Sequence, residues 1–235
     1  MTMNQPDPTV KPKRPYDRRR RQEQARRTRD RVLGSAEHLF RRDGYGPTTI
    51  TAIADDASVS VDTVYKSFGG KAGLVRAIFG RALEGQGPIP AEQRSDELQA
   101  RERDARKIIR AWGTFTTELA PRAMPIVLLL RAAATTDPEA QAVLDDIDAD
   151  RLRRMTENAR RLHNAGHLRP GITVTRTADI LWTYSSPELY ELLVLRRGMP
   201  LAQYGRFIAD AMINALLPAQ PPPVQPGHRE GRGRR

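Results

Sequence analysis

Apolar residues between positions 44 and 71 follow the spacing i, i+3, i+4, i+7 of one buried helical face, and they do so twice. The first set comes directly after Thr49, which is a favourable N-cap. It consists of Ile50, Ile53, Ala54 and Ala57. This spacing predicts a first short helix over residues 50–57.

The second set follows a break at Ser58 and Val59, with Ser60 as the next N-cap. Its members are Val61, Val64, Tyr65 and Phe68. Gly69 and Gly70 then end the pattern, so a second helix is predicted over residues 61–68. Two short helices with a tight connection are typical of a helix-turn-helix, which places its second helix in the DNA major groove.

Such a pair of helices cannot bury its apolar faces alone and needs flanking helices to form a core. An upstream apolar stripe stops at Asp43-Gly44, where glycine can adopt a left-handed C-cap conformation. It consists of Val32, Leu33, Ala36, Leu39 and Phe40. A downstream stripe starts a fourth helix with Leu74, Val75, Ile78, Phe79 and Leu83.

Residues 31–83 resemble the DNA-binding domain of the TetR family of bacterial transcriptional repressors. The first part of the family pattern is carried by Gly44, Tyr45, Thr48, Thr49, Ile50, Ile53 and Ala54. The second part is carried by Val59, Ser60, Thr63, Val64, Tyr65, Phe68, Lys71 and Leu74. The chain departs from the pattern at Asp62, where a small residue is usual, and at the pairs Gly69-Gly70 and Ala72-Gly73.

The remainder of the chain also has helical periodicity, without strand alternation or internal repeats, which predicts an all-α protein. Predicted segments cover residues 92–119, 125–134, 138–165, 174–185, 187–197 and 200–217. We therefore expect an N-terminal three-helix domain with a helix-turn-helix, followed by a larger helical domain for ligand binding and dimerisation. The predicted divisions are a disordered basic arm (1–24), the DNA-binding domain (25–87), the regulatory domain (91–218) and a disordered tail (219–235).

The net charge of +11 is concentrated at the two ends of the chain. Residues 1–31 carry 11 Lys and Arg against 4 Asp and Glu, and residues 219–235 carry 4 against 1. The 187 residues between them carry 24 against 23. Prolines and arginines dominate both ends, which disfavours packed structure there.

The N-terminal charge has two interpretations. It can be a solvated run that only aids solubility, or it can neutralise phosphates in or beside the minor groove. Its position favours the second interpretation, because Arg26, Arg27, Arg29 and Arg31 lie on or just before the first helix. The C-terminal tail has no such placement and is assigned no role.

The predicted DNA-contacting residues lie around the second helix. Three residues that project away from its buried face can meet base edges: Val61, Thr63 and Lys66. The valine suits a thymine methyl, the threonine suits several bases, and the lysine suits guanine O6 and N7. Asp62 either stabilises the helix N-terminus or accepts from cytosine N4, and the first role is favoured. The family resemblance implies phosphate contacts for Tyr65 and Lys71, although periodicity alone places Tyr65 near the core. Thr48 and Thr49 begin the preceding helix in a similar position.

The resemblance further implies a homodimer with a small-molecule effector pocket. Candidate dimer residues, each of which can equally be intramolecular core, are Ile180, Leu181, Phe207, Ile208, Ala211, Met212 and Ala215. Candidate ligand-lining residues, which can also be ordinary core, are Trp112, Phe115, Met124, Met155, Trp182 and Tyr184.

Other function classes have little support in the sequence. No nucleophile elbow, phosphate-binding glycine loop or dinucleotide fingerprint occurs, so we expect no enzyme and no cofactor. The chain has no cysteine, and His163 and His167 lack a third ligand, so no metal site is expected. No secretory signal or membrane-spanning run is visible, which favours a cytoplasmic protein with double-stranded DNA as its partner. Nonspecific nucleic-acid packaging is the alternative that the basic ends allow.

Overall fold

A computed structural model of the protein describes residues 15–85 and 87–219, and every regular element among these residues is helical. The elements are α1 (Pro15–Asp43), α2 (Ile50–Asp56), α3 (Val61–Phe68), α4 (Lys71–Glu84), α5 (Ala91–Arg101), α6 (Ala105–Ala134), α7 (Pro138–Asn164), α8 (Val174–Tyr184), α9 (Pro187–Tyr190), a π-helical segment (Glu191–Arg196) and α10 (Leu201–Leu216). The all-α prediction is confirmed. No helix among the described residues is long and apolar enough to cross a membrane.

The caps of the helix-turn-helix are those expected from the sequence. Thr49 Oγ1 accepts from Ala52 N at 3.1 Å, and Ser60 Oγ accepts from Thr63 N at 3.2 Å. Gly69 ends α3 in the left-handed region at φ 77°, which a residue with a Cβ rarely adopts. The predicted bounds of the second helix agree with α3, and the first helix ends at Asp56 with Ala57 as its C-cap.

The predicted disordered arm over residues 1–24 is wrong from Pro15 onward, because α1 begins at Pro15. Residues 1–14 of that arm lie outside the described residues, as do residues 220–235 of the predicted C-terminal tail. Proline is tolerated in the first turn of a helix, where its missing N–H would have no partner. Arg, Gln and Glu then propagate the helix, supported by the i, i+4 ion pair of Arg27 with Glu23 at 2.6 Å.

The predicted division between residues 119 and 125 is also wrong, since α6 continues through Pro121 and Pro125. Each proline removes a hydrogen-bond donor from the helix, at a cost of about 3 kcal/mol. The flanking turns offset this cost by burial, because they contribute Ala120, Ala123, Ile126, Val127 and Leu130 to the core. Tertiary packing therefore overrides the local signal of the prolines.

The chain divides into two compact units. The first combines the residues up to Arg94 with Glu118–Asp150, and the second combines Ser95–Thr117 with the residues from Arg151 onward. Packing thus groups residues 118–150 with the helix-turn-helix, while the predicted regulatory domain of 91–218 stays a prediction about function.

The first unit has one continuous core that fixes α3. Phe40 of α1, Ile53 of α2, Val64 of α3 and Leu74 of α4 are all fully buried. The C-terminal half of α6 and the N-terminal half of α7 extend this core through Ile126, Leu130, Val143, Leu144 and Ile147. The inner face of α3 is therefore held in place by apolar contacts.

The second unit is organised around the contact of α10 with α6 and α8. Gly113 of α6 and Gly205 of α10 lie so close that a Cβ on either would overlap the backbone of the other helix. Tyr204 packs edge-on against Tyr190 with ring centroids 5.9 Å apart. Burial raises the pKa of Tyr204 to about 12.

Candidate nucleic-acid interface

The outer face of α3 is exposed, whereas its inner face is anchored in the core. Val64 is fully buried and Phe68 is 9% exposed, which fixes the rotation of the helix about its axis. On the other side Val61 is 36% exposed and Tyr65 is 52% exposed. The exposure of Tyr65 agrees with the position implied by the family resemblance and excludes the core position that periodicity alone suggested.

The charged groups on this face pair with each other. Lys66 Nζ lies 2.7 Å from Asp62 Oδ2, and the two side chains are 76% and 69% exposed. An exposed i, i+4 pair contributes only about 0.3–0.5 kcal/mol, so a base or phosphate can compete for either partner. Ser60 Oγ and Thr63 Oγ1 are 2.8 Å apart and share a hydrogen bond at the start of the helix. The exposed face of α3 thus offers both a donor and an acceptor without net charge.

Thr48 and Thr49 have different roles in the structure. Thr48 is 3% exposed, and its hydroxyl donates to the Gly44 carbonyl at 2.7 Å. The predicted phosphate contact of the Thr48 side chain is therefore wrong, because this hydroxyl closes the loop between α1 and α2. Thr49 is exposed, and its oxygen caps α2 as an acceptor, which leaves its O–H able to donate to a phosphate.

Lys71 has an internal role that its sequence position did not reveal. Its ammonium donates to the carbonyls of Tyr45 at 3.0 Å and Gly46 at 3.2 Å. It also lies 4.5 Å from the centroid of the Tyr45 ring. Lys71 thus ties the loop after α1 to the start of α4, and at most one of its N–H groups is left for a phosphate.

Arg29 connects α1 to α3. Its Nη1 donates to the Ser67 carbonyl at 3.1 Å, and its guanidinium lies 4.4 Å from the Phe68 ring centroid. The sequence placed Arg29 among the phosphate partners, whereas in the structure it sets the distance between the two helices. The neighbouring Arg26 and Arg27 pair with carboxylates of α1 itself.

Gly73 allows α4 to approach the end of α3. A Cβ at this position would overlap the carbonyl of Phe68. An isolated glycine within a helical pattern is the signal of such a close approach, and it was available in the sequence. The departure from the family pattern at Ala72-Gly73 therefore has a packing reason.

The predicted ligand-lining residues divide between the two units. Met124 belongs to the first unit, and the other five belong to the second. In the second unit, Trp112 Nε1 donates to the buried Ser95 Oγ at 3.1 Å, and Gln99 Nε2 donates to Asn158 Oδ1 at 3.2 Å. The Arg151 guanidinium lies 4.4 Å from the Trp182 ring centroid. Phe115, Met155 and Tyr184 are half-buried.

Two polar atoms near these side chains are buried without a hydrogen-bond partner among the described residues. They are the acceptor Gln99 Oε1 and the donor Trp182 Nε1. Buried polar groups normally find partners, so such atoms call for an explanation. His163 and His167 are separated by the end of α7, since Gly166 takes φ 70° between them.

The predicted dimer residues are of two kinds. Leu181, Ile208 and Met212 are buried within the protomer and form part of the core of the second unit. Phe207 is 44% exposed, and the three half-buried members are Ile180, Ala211 and Ala215. Leu192 and Leu195 of the π-helical segment are more exposed than Phe207, although no pattern in the sequence pointed to them.

Residues 32–78 match the profile of the family described as bacterial regulatory proteins, tetR family. This match covers α2 and α3 completely, together with the C-terminal part of α1 and the first part of α4. The helix-turn-helix of this chain is therefore similar to that of the TetR family. A relative from Bacillus subtilis (strain 168), the uncharacterised HTH-type transcriptional regulator YvkB, is 35% identical over 71 residues. That match spans 30% of this chain and 38% of the relative.

Solved structures of other proteins, repressors among them, share the fold over most of the chain. NalD, the secondary repressor of the MexAB-OprM multidrug efflux pump in Pseudomonas aeruginosa, has a TM-score of 0.64 at 18% identity, with 83% of this chain and 98% of that chain covered. SmeT in complex with triclosan has a TM-score of 0.61 at 22% identity, covering 81% and 92%. A regulator-like protein from Saccharomonospora viridis in complex with choline has a TM-score of 0.60 at 18% identity, covering 81% and 98%.

Proposed function

We propose that this protein is a sequence-specific DNA-binding transcriptional regulator, and that α3 is its recognition helix. The observation that carries the proposal is the exposed face of a doubly capped helix whose opposite face is anchored by Val64 and Phe68. Fixed rotation is needed for base reading, because a side chain must meet a base edge within hydrogen-bond distance. The match to the TetR family supports the same function.

Within this proposal, Val61, Thr63 and Lys66 meet base edges. Lys66 leaves Asp62 to donate to guanine O6 and N7, and Val61 packs against a thymine methyl. Asp62 stabilises the positive end of the α3 dipole, and Tyr65, Thr49 and Lys71 contact phosphates. Phosphate contacts set the register of the protein on the duplex, while the base contacts select the sequence.

A recognition helix of two turns reads only a few base pairs, so useful specificity requires two copies on a symmetric site. We propose a homodimer on an inverted repeat. The centres of its half-sites should lie one helical turn of DNA apart, about 34–36 Å, or a multiple of that distance. The surface proposed to pair with a second copy consists of the exposed Phe207 and the half-buried Ile180, Ala211 and Ala215.

The second unit is proposed to bind a small-molecule effector that relieves repression. Support comes from an acceptor and a donor beside aromatic side chains, Gln99 Oε1 and Trp182 Nε1, which have no hydrogen-bond partner among the described residues. The structural neighbours bound to triclosan and to choline are proteins of the same fold. An effector can act only by preferring one of two conformations, and each tenfold preference is about 1.4 kcal/mol of coupling.

The first test is selection of binding sites from a random duplex pool, followed by footprinting of the selected sequence. The proposal expects an inverted repeat whose two halves are protected together. Selection that yields no shared sequence, with equal affinity for every duplex, would instead favour the alternative of nonspecific packaging. Sedimentation of the free protein at micromolar concentration tests the homodimer, which a monomer would contradict.

The second test concerns the effector. Both tryptophans of the chain, Trp112 and Trp182, lie in the second unit, so their fluorescence reports on that unit. Triclosan and choline serve as an apolar and a cationic probe. A compound that changes the fluorescence should weaken binding to the selected duplex, and the duplex should weaken binding of the compound by the same factor. Unequal factors would contradict the two-state mechanism.

The competing classes have less support. Family and fold point to a regulator rather than an enzyme, and the comparisons do not favour a packaging protein. A cytoplasmic location is part of the proposal because the partner is chromosomal double-stranded DNA.

A further inference from the structure

The N-terminal half of α1 is a helix without an apolar face. Residues 19–31 carry seven arginines against one glutamate and one aspartate, and the side chains of residues 19–27 are exposed. The face that is apolar from Val32 onward is continued toward the N-terminus by Arg29, Thr28, Ala25, Gln24 and Arg21. A helix that is polar on all sides is not stabilised by burial against a core. Its stability requires i, i+4 side-chain pairs or a binding partner.

This same face borders an open groove between α1 and α3. The groove has a volume of about 360 Å³. Its α1 wall is formed by the face just described, and its α3 wall is formed by Thr63 and Ser67. Thr63 is also one of the proposed base-reading residues, and Ser67 follows Lys66 on α3, so the groove borders the proposed base-reading surface.

The width of the groove is fixed by Arg29. Its guanidinium is held by the Ser67 carbonyl at 3.1 Å and by the Phe68 ring at 4.4 Å. This positions α1 against the last turn of α3 and keeps a positive charge at the floor of the groove. The walls add the guanidinium of Arg21, the amide of Gln24 and the hydroxyls of Thr28 and Ser67, all of which can donate hydrogen bonds.

We propose that this groove is a binding site for the sugar-phosphate backbone of one DNA strand, a role that rests on the proposed function of α3 as recognition helix. The donors suit a phosphodiester, which offers only acceptors and one negative charge. Arg21 supplies the charged contact, and Gln24 and Thr28 supply neutral ones. The basic segment therefore acts as a helical wall that clamps the backbone beside the major groove, rather than as an extended arm in the minor groove.

The chain provides matched controls on the same helix. Arg19 and Arg21 are two residues apart, which places them about 160° from each other around α1, with Arg21 on the groove and Arg19 off it. Gln22 and Gln24 form a second such pair, of which only Gln24 lines the groove. The two alanine variants of each pair lose the same type of side chain from the same segment of the helix. They therefore have the same net charge and the same helix propensity.

The experiment measures binding of the full chain to a selected duplex as a function of salt. Arg21→Ala should weaken binding roughly tenfold and lower the salt slope by about one, whereas Arg19→Ala should have a clearly smaller effect. Gln24→Ala should weaken binding about threefold without changing the salt slope, because no charge is lost, and Gln22→Ala should leave binding unchanged.

Single neutral methylphosphonates in the duplex locate the contact. One position should weaken the wild type but add little to Arg21→Ala, and this coupling should be absent for Arg19→Ala. Equal losses of affinity for the two members of each matched pair would overturn the assignment of the groove as a phosphate site. So would the absence of any phosphate coupled to Arg21. Either result would leave sequence-specific binding by α3 intact. Failure of the wild type to distinguish the selected duplex from random DNA would instead overturn the proposed function itself.

Discussion

The helices α1 and α3 belong to one unit, are connected through Arg29, and differ in almost every physical property. The helix α3 is short, capped at both ends and anchored by two apolar side chains, and the charges of Asp62 and Lys66 on its exposed face cancel. The N-terminal half of α1 is long, exposed and strongly basic. The difference indicates a division of labour. We propose that the neutral, rigid face of α3 selects bases and that the basic half of α1 supplies affinity that does not depend on sequence.

The largest effect is expected when α3 loses its anchor. Phe68→Ala removes a nearly buried ring and the surface on which the Arg29 guanidinium rests, so unfolding should require about 3 kcal/mol less free energy. Urea denaturation measures this loss. Leu83→Ala is the control, because Leu83 is a large apolar residue of the neighbouring helix that is 41% exposed. A loss no greater than that of the control would show that α3 is not held by this contact.

Deletion of residues 1–22 tests the basic side of the comparison. The deleted segment contains seven Lys and Arg against two Asp, so affinity for all duplexes should fall on the order of 100-fold at physiological salt, with a shallower salt dependence. The urea midpoint should not move. Deletion of residues 220–235, which carry four Arg against one Glu, is the control and should change affinity little. Equal losses from both deletions would reduce the N-terminal segment to solvated charge.

Lys71→Met tests a residue with two roles, an internal contact to the loop after α1 and a proposed contact to a phosphate. It removes two charge-assisted hydrogen bonds to the loop after α1, so the free energy of unfolding should fall by about 1–2 kcal/mol. The salt slope of DNA binding should fall by about one at the same time. An unchanged urea midpoint together with weaker DNA binding would mean that Lys71 contacts phosphate only.

The smallest effect is expected at Tyr45. Its ring stacks on Phe40 at 5.6 Å, but its buried hydroxyl has no hydrogen-bond partner among the described residues, and burial raises its pKa to about 12. Tyr45→Phe keeps the stacking and removes the unpartnered group, so stability should stay level or rise by up to about 1 kcal/mol. A loss above about 1 kcal/mol, measured by urea denaturation, would reveal a hydrogen bond that the structure does not contain.

The helix-turn-helix was predictable because its signals are local. Caps at Thr49 and Ser60, a stop at Gly69 and apolar spacing over two turns fix both helices without reference to the rest of the chain. The contacts that position them are not local. Arg29 reaches Ser67, and Lys71 reaches Tyr45, over sequence separations that periodicity does not report.

The predicted segment 92–119 is divided between α5 and α6 at residues 102–104. The other two errors in helix bounds have the same physical origin. Charge and proline content predicted disorder before residue 25 and a break between residues 119 and 125. The described part of the first segment, residues 15–24, is helical, and so is the second segment. Composition describes what a segment prefers alone, whereas neighbouring turns can extend a helix through an unfavourable stretch. The error at Thr48 is of a different kind. A polar residue at the start of a helix was expected on the surface, but its hydroxyl is buried by a hydrogen bond within the preceding loop.

One measurement tests the division of labour most directly: the ratio of affinities for the selected duplex and for random DNA at fixed salt, compared between the wild type, Lys66→Ala and the deletion of residues 1–22. Lys66→Ala should lower the ratio by about tenfold or more and relax the preference at one base pair. The deletion should lower both affinities and leave the ratio within about twofold. A ratio that collapses on deletion, or equal losses on both duplexes for Lys66→Ala, would contradict the assignment of specificity to α3.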